Sequence, residues 1–193
     1  MLNDKVRPLI QPFTAGVGRA MARVGLTPNM VTSIGLLWTF VVVWLIVIGH
    51  RTLAGIVMIP AWFLDVFDGA LARVTNRVTV WGGFFDSVAD RIGDGALLAA
   101  IASLGWRYHR PRVLIAGLVA MVVTSLVPYA RAKAEALGYT VASGPGERAE
   151  RAILISAGLI LHVEEGAMWV LTALCLVTFL SRCLSVYRQA TAA

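Results

Sequence analysis

Five aspartates interrupt stretches of sequence that are otherwise apolar. Asp65 and Asp68 fall in one stretch, and the next contains Asp86, Asp90 and Asp94. A carboxylate inside a membrane helix costs several kcal/mol unless it is paired, hydrated or bound to a metal. A nearby arginine would neutralise one of them, but five acids with few bases leave excess negative charge. The sequence therefore predicts a cation site.

The spacing of the acids indicates how they would share that site. Asp65 and Asp68 are three residues apart, and Asp86 and Asp90 are four apart, so each pair lies on one helical face. If the two helices are antiparallel neighbours, the pairs meet about 12 and 9 Å from adjacent helix ends. Oxygen-only ligands favour Mg²⁺ or Mn²⁺ over zinc. Two such ions typically serve phosphoryl chemistry.

The composition excludes a soluble globule. Of 193 residues, 58% are hydrophobic and 15% are charged, whereas soluble domains have about 45–50% and 25%. A disordered chain would need low hydrophobicity and high charge. The two cysteines, Cys175 and Cys183, are too few for a disulfide framework. An integral membrane protein remains.

Six stretches are predicted to be transmembrane helices, since about 20 mostly apolar residues cross a bilayer. They run approximately over residues 30–49, 53–72, 80–104, 113–136, 152–163 and 167–186. The fifth reaches spanning length only if it begins near Glu147. The predicted fold is thus all-α and polytopic, with one membrane domain over residues 1–193.

A different helix is predicted before the first span. Its apolar residues recur at helical spacing, with basic residues on the other positions, which is typical of an amphipathic helix in the membrane interface. These apolar residues are Val6, Leu9, Ile10, Phe13, Val17, Met21 and Val24. Residues 1–28 would form this interfacial segment, and residues 29–193 the six-helix bundle.

The basic residues predict the orientation. The chain has 17 Lys and Arg against 11 Asp and Glu, a net charge of +6. These bases lie between apolar segments, which favours contact with anionic lipid over nucleic acid. Six spans place both termini on one side, which holds twelve of the bases. The other side holds Arg51, Arg107, Arg110 and Arg112, and Arg91 lies inside a span. The termini and the acidic site are therefore predicted to be cytoplasmic, in a multi-pass protein of the cytoplasmic membrane.

Eight residues at fixed spacing carry a family resemblance. They read Asp65-x2-Asp68-Gly69-x2-Ala72-Arg73-x8-Gly82-x3-Asp86-x3-Asp90. This pattern resembles the signature of the CDP-alcohol phosphotransferase family. The resemblance implies an enzyme that transfers a phosphatidyl-type group from a CDP-linked lipid to an alcohol and releases CMP.

The resemblance also implies roles for individual residues. Asp65, Asp68, Asp86 and Asp90 would hold two divalent cations, Mg²⁺ or Mn²⁺, and Asp90 would also act as the general base. Asp94 lies outside the signature, and pairing with Arg91 is the simplest role for it. The implied contacts to the CDP-lipid are Pro28, Asn29, Met30, Val31, Thr32, Asp68, Gly69, Arg73 and Thr79.

Five basic residues on the last three predicted helices suggest an anion pocket. They are Arg131, Lys133, Arg148, Arg151 and Arg182. Bases at cytoplasmic helix ends often serve only as membrane anchors. Five that converge beside an acidic site favour binding of a phosphate, which Arg and Lys recognise well. The acceptor alcohol is therefore predicted to carry its own phosphate.

Three segments refine the resemblance. The sequences around residues 26–29, 131–136 and 146–151 are similar to those of actinobacterial phosphatidylinositol phosphate synthases. That similarity implies CDP-diacylglycerol as donor, inositol 1-phosphate as acceptor, and a homodimer among membrane lipids. One alternative is a phosphatidylglycerophosphate synthase that uses glycerol 3-phosphate. A more distant alternative is a cation transporter with an intramembrane acidic site.

Overall fold

The chain folds into helices joined by short connections. The computed structural model describes residues 16–75, 79–141, 144–145 and 148–191, without the side chains at 61–70, 73, 74 and 148. Residues 16–23 are helical, and no strand occurs in these ranges. The longer helices are α1 (Pro28–Val47), α2 (Arg51–Val74), α3 (Val80–Arg107), α4 (Pro111–Ala136), α5 (Arg148–Ile160) and α6 (Glu164–Thr191). The all-α prediction is confirmed for the described chain.

Three of these helices are long and apolar enough to cross a membrane: α1, α4 and α6. The shortest helix, α5, has 13 residues and extends about 20 Å, less than the roughly 30 Å of a bilayer core. It begins at Arg148, within the polar stretch, but ends at Ile160, before the predicted end at Val163. Six crossings therefore remain a prediction. The predicted interfacial helix lies mostly outside the described residues, which begin at 16.

The starts of α1 and α3 carry local signals in the sequence. The Thr27 hydroxyl accepts a hydrogen bond from the Met30 amide at 3.3 Å, and Pro28 is the first residue of α1. The Thr79 hydroxyl accepts one from the Gly82 amide at 3.0 Å. A Thr cap satisfies an otherwise unpaired amide, and proline has no amide to lose at this position.

The six helices pack as a closed ring. Its order is α1, α3, α4, α6, α5 and α2, with α2 returning to α1. In this order α3 and α5 lie opposite each other. Glycines permit close approach at two places: a Cβ on Gly117 would lie 2.9 Å from the Ala102 Cα, and one on Gly55 would lie 2.9 Å from the Ser156 carbonyl oxygen. The apolar core draws on all six helices, with Ile46, Met58, Leu97, Ala120, Leu159 and Leu171 among its residues.

One buried carboxylate joins the three connections at one end of the ring. The sequence suggested that Glu164 lies in a loop, but it is the first residue of α6 and is 1% exposed. Its oxygens contact Arg51 Nη1 at 2.9 Å and Arg110 Nη1 at 3.2 Å. The Arg51 guanidinium also lies 4.9 Å from the centre of the Tyr108 ring. We call Glu164, Arg51 and Arg110 the far-end clamp, because α2 ends and α3 begins at the opposite end.

Removal of the charge of Glu164 should destabilise the protein. Glu164→Gln removes the counter-charge of Arg51 and Arg110, whose side chains are 20% and 42% exposed and therefore stay partly hydrated. Loss of hydrogen bonds to a charged group typically costs about 1.5–3 kcal/mol, so we expect the melting temperature in detergent to fall by about 3–10 °C. Glu165→Gln is the matched control, because Glu165 is the next residue and forms no ion pair in the described structure. Equal melting temperatures for the two variants would contradict the clamp.

Candidate active site

The predicted metal ligands occupy α2 and α3. Asp65 and Asp68 lie within α2, one helical turn apart, and their side chains are outside the description. Asp86 and Asp90 lie one turn apart on α3, and both are half-buried. The Oδ1 atom of Asp86 is buried without a hydrogen-bond partner in the described part of the chain. A buried oxygen in that state costs about 1–3 kcal/mol or more, which a cation would offset.

These residues fit a hard divalent cation. Carboxylate oxygens are the ligands that Mg²⁺ and Mn²⁺ prefer, and Asp86 offers an oxygen without another partner. The side chains that are described include no group of three or more His, Cys, Asp or Glu placed to hold a metal. That finding covers only half of the predicted set, since the α2 carboxylates are outside it.

The starts of α1 and α3 converge at this end of the ring. A Cβ on Gly82 would lie 3.0 Å from the Thr79 hydroxyl oxygen and 3.2 Å from the Asn29 side-chain oxygen. Glycine at 82 therefore lets two predicted CDP-lipid contacts, Asn29 and Thr79, approach the same backbone. The packing of α1 against both acid-bearing helices explains this convergence.

The other predicted CDP-lipid contacts have different environments. The Thr32 hydroxyl donates to the Pro28 carbonyl oxygen at 3.2 Å, within α1. The Val31 side chain is buried in the helix packing, whereas that of Met30 is exposed. Gly69 and Arg73 belong to the last turns of α2, where the backbone alone is described.

Three of the five predicted acceptor bases lie at helix ends. Arg131 and Lys133 are exposed near the end of α4, and Arg131 Nε donates to Glu135 Oε1 at 2.9 Å on its own helix. Arg148 is the first residue of α5, and its side chain is outside the description. An exposed pair of this kind contributes little to stability, so Arg131 can exchange Glu135 for another anion at low cost.

The remaining two bases are buried inside the ring. Arg182 Nη1 donates to the Val127 carbonyl oxygen at 2.6 Å. Arg151 Nη2 lies 3.0 Å from Asp94 Oδ2. The structure thus places two of the five predicted bases in its interior: Arg151 pairs with a residue of α3, and Arg182 bonds to the backbone of α4.

Asp94 has a partner that sequence analysis missed. Its contact with Arg91, 3.3 Å from Oδ2 to Nη2, is the pairing that the sequence suggested. The contact with Arg151 comes from a helix more than fifty residues away in the chain. No local spacing signals it, because only the ring order brings α5 opposite α3.

The sequence is similar to a known family and to named proteins of archaea and bacteria. The family described as CDP-alcohol phosphatidyltransferase matches residues 25–180. Archaetidylinositol phosphate synthase of Pyrococcus horikoshii is 35% identical over 187 residues, with 93% of each chain covered. Phosphatidylinositol phosphate synthase of Mycobacteroides abscessus is 33% identical, with 91% of this chain and 84% of the relative covered.

The fold is also similar to a solved structure. Phosphatidylinositol phosphate synthase of Mycobacterium tuberculosis with CDP-DAG bound has a TM-score of 0.81 and 30% identity, over 90% of this chain and 93% of that one. The same protein in complex with manganese and citrate has a TM-score of 0.80, with 90% and 88% covered. The match over residues 25–180, together with these relatives, establishes that the chain belongs to the CDP-alcohol phosphatidyltransferase family.

Proposed function

We propose that this chain transfers the phosphatidyl group of CDP-diacylglycerol to inositol 1-phosphate, which yields phosphatidylinositol phosphate and CMP. The observation that carries the proposal is the complete eight-residue signature on α2 and α3. The two relatives described above are named as synthases of inositol phosphate lipids, and the solved relative binds CDP-DAG. The chain would therefore act in phospholipid biosynthesis.

The four signature aspartates would hold divalent metal, Mg²⁺ or Mn²⁺, as two ions. The manganese complex of the solved relative supports a metal of this class. When bound, such ions neutralise a pyrophosphate and stabilise the departing CMP. The buried Oδ1 atom of Asp86, which has no hydrogen-bond partner in the described part of the chain, suits that task.

Asp90 would remove the proton from the attacking hydroxyl. The hydroxyl oxygen forms a bond to the phosphorus of the phosphatidyl group, and the bond from that phosphorus to the CMP oxygen breaks. The freed proton goes to the Asp90 carboxylate, and the electron pair leaves with CMP. Asp90 is half-buried on the same face of α3 as Asp86, so base and metal ligands would act at one place.

The two ends of the CDP-lipid would contact different elements. The nucleotide would bind where Asn29, Thr79 and Gly82 converge, with Gly69 and Arg73 of α2 nearby in the signature. Pro28, Met30, Val31, Thr32 and Asp68 complete the proposed set. The acyl chains would remain in the bilayer beside the exposed apolar faces of the helices.

The acceptor phosphate would bind to the bases of α4, α5 and α6. Arg151 and Arg182 would form the buried part of the pocket, and Arg131, Lys133 and Arg148 its cytoplasmic part. A phosphate monoester needs several donors, and arginine offers five N–H groups in a fixed fork. This pocket favours a phosphorylated alcohol over a free one.

In the membrane, the proposed arrangement is six crossings with both termini and the active site on the cytoplasmic side. Three helices meet the length and hydropathy that a crossing requires, and α2 and α3 have 24 and 28 residues. The short α5 would lie between α2 and α6 in the ring. We also propose a homodimer in the cytoplasmic membrane. The transporter alternative is not pursued, because the family consists of transferases.

A direct assay separates the acceptor alternatives. Purified protein with CDP-diacylglycerol and Mg²⁺ should release CMP when inositol 1-phosphate is added. Free inositol should give a rate at least tenfold lower, because it lacks the phosphate that the bases bind. Glycerol 3-phosphate serves as the competing acceptor. Faster CMP release with glycerol 3-phosphate would replace the proposed product with phosphatidylglycerophosphate.

Asp90→Asn should lower kcat by a factor of about 10² to 10⁴, the usual effect of losing a general base. Binding of CDP-diacylglycerol, measured by calorimetry, should weaken far less, because three carboxylates remain for the metal. Ser87→Ala, an exposed neighbour on α3, is the control for the helix itself. Near-normal turnover by Asp90→Asn would show that another group accepts the proton.

Substitution of any of the five bases should weaken binding of the acceptor and leave binding of the lipid donor nearly unchanged. Replacing any one of them with Gln should raise the KM for inositol 1-phosphate about ten- to a hundredfold, since a hydrogen bond to a charged group contributes about 1.5–3 kcal/mol. The KM for CDP-diacylglycerol should change little. Buried Arg151 and Arg182 should show the larger effects, and exposed Arg131 and Lys133 the smaller.

Arg188→Gln is the matched control for these variants. Arg188 is exposed in the last turn of α6 and is outside the proposed pocket. It should leave the acceptor KM unchanged. If all five variants behave like Arg188→Gln, the bases are membrane anchors and do not bind the acceptor.

A further inference from the structure

Asp94 lies outside the eight-residue signature, yet it links the two halves of the ring. It projects from α3, the helix of Asp86 and Asp90, one turn beyond Asp90. Its Oδ2 atom reaches Arg151 Nη2 on α5 at 3.0 Å. Because α3 and α5 are opposite in the ring order, this contact crosses the interior instead of joining neighbours.

The contact holds a guanidinium that has little other support. The Arg151 side chain is 9% exposed, and its Nε is buried without a hydrogen-bond partner in the described part of the chain. Asp94 therefore holds one nitrogen of the group by an ion pair, because its Oδ2 atom makes no aligned hydrogen bond, and another donor of the guanidinium is left unsatisfied. A buried donor in this state favours a second anion.

The local charges also favour an anion beside this pair. Oδ2 of Asp94 is shared by Arg91, at 3.3 Å, and by Arg151. One carboxylate thus faces two guanidinium groups, and the pair retains a net positive charge. Arg182 and the acid Glu150 also act electrostatically on the thiol of Cys175, as Arg151 and Asp94 do. The three arginines outnumber the two acids, so these five side chains carry a net charge of +1. Asp94 therefore orients the buried arginine without neutralising the site.

From this geometry we infer that Asp94 is a positioning residue for the acceptor: it holds Arg151 so that the free edge of its guanidinium meets the acceptor phosphate. The inference rests on the proposed function. It gives a role to Asp94, which belongs neither to the proposed metal site nor to the proposed nucleotide contacts. Asp94 itself does not contact the phosphate, because its carboxylate and the phosphate are both anions and would repel each other. It sets the selectivity for a phosphorylated alcohol through Arg151.

A double-mutant cycle tests the inference. Asp94→Asn keeps the shape of the side chain but weakens its hold on Arg151. We expect it to raise the KM for inositol 1-phosphate about five- to thirtyfold, with kcat and the KM for CDP-diacylglycerol within about twofold. Asp94→Glu should recover part of the loss. When Arg151 is already Gln, Asp94→Asn should change the acceptor KM less than twofold, because its effect passes through Arg151.

Glu164→Gln is the matched control, since Glu164 also contacts two arginines but belongs to the far-end clamp. It should lower the melting temperature and leave the acceptor KM unchanged. If Asp94→Asn raises the KM values of both substrates equally, or if its effect persists in the Arg151→Gln background, Asp94 is a structural tie and the inference is wrong. If the single variants unfold, the double variant can be measured instead, because it removes both charges and leaves a neutral pair.

The wild-type assay separates failure of the inference from failure of the proposed function. If wild-type protein releases no CMP with inositol 1-phosphate or glycerol 3-phosphate, the proposed function fails and the inference falls with it. If wild-type protein turns over and Asp94→Asn keeps the wild-type acceptor KM, the inference alone is overturned. The melting-temperature shift that inositol 1-phosphate induces gives a second readout, and Asp94→Asn should reduce this shift.

Discussion

A charge removed from water needs a partner, and this constraint organises the bundle. Glu164 has Arg51 and Arg110, and Asp94 has Arg91 and Arg151. Asp86 differs, because it forms no ion pair among the described residues and its buried Oδ1 atom has no hydrogen-bond partner there. Ion pairs therefore hold the far end and the interior of the ring, while the signature end carries Asp86, whose buried oxygen a divalent cation would satisfy. The ion pairs that stabilise the bundle and the acids of the signature therefore lie at different depths along the helices.

The ring order places the proposed nucleotide contacts and the proposed acceptor bases on two different groups of helices. The helices α1, α2 and α3 carry the signature and the proposed nucleotide contacts, whereas α4, α5 and α6 carry the proposed acceptor bases. Under the proposed function, the acceptor alcohol and the activated lipid would bind to different helices and meet at Asp90. A substitution in one group can change recognition of one substrate without reshaping the site of the other. Similar scaffolds could thus serve different alcohols.

Much of the helical order could be predicted from sequence, because apolar length, threonine caps and helix-starting prolines are local signals. The spacing of Asp86 and Asp90 is likewise a local signal, because two residues four apart lie on one face of a helix. Tertiary partners could not be predicted in this way. Glu164 was expected in a loop, since a charged residue between apolar stretches usually is, and its burial depends on arginines from two other connections. The partner of Arg151 depends on the ring order, which no single segment encodes.

The far-end clamp has a mechanical consequence. It joins all three connections at one end of the ring, whereas the other end has no comparable set of ion pairs among the described residues. A tilt about a fixed end displaces the other end most. A helix of 28 residues, such as α3, is about 42 Å long, so a tilt of about 5° at the clamp would move its signature end by about 4 Å. The positions of the signature acids are therefore far more sensitive to helix orientation than the contacts beside the clamp.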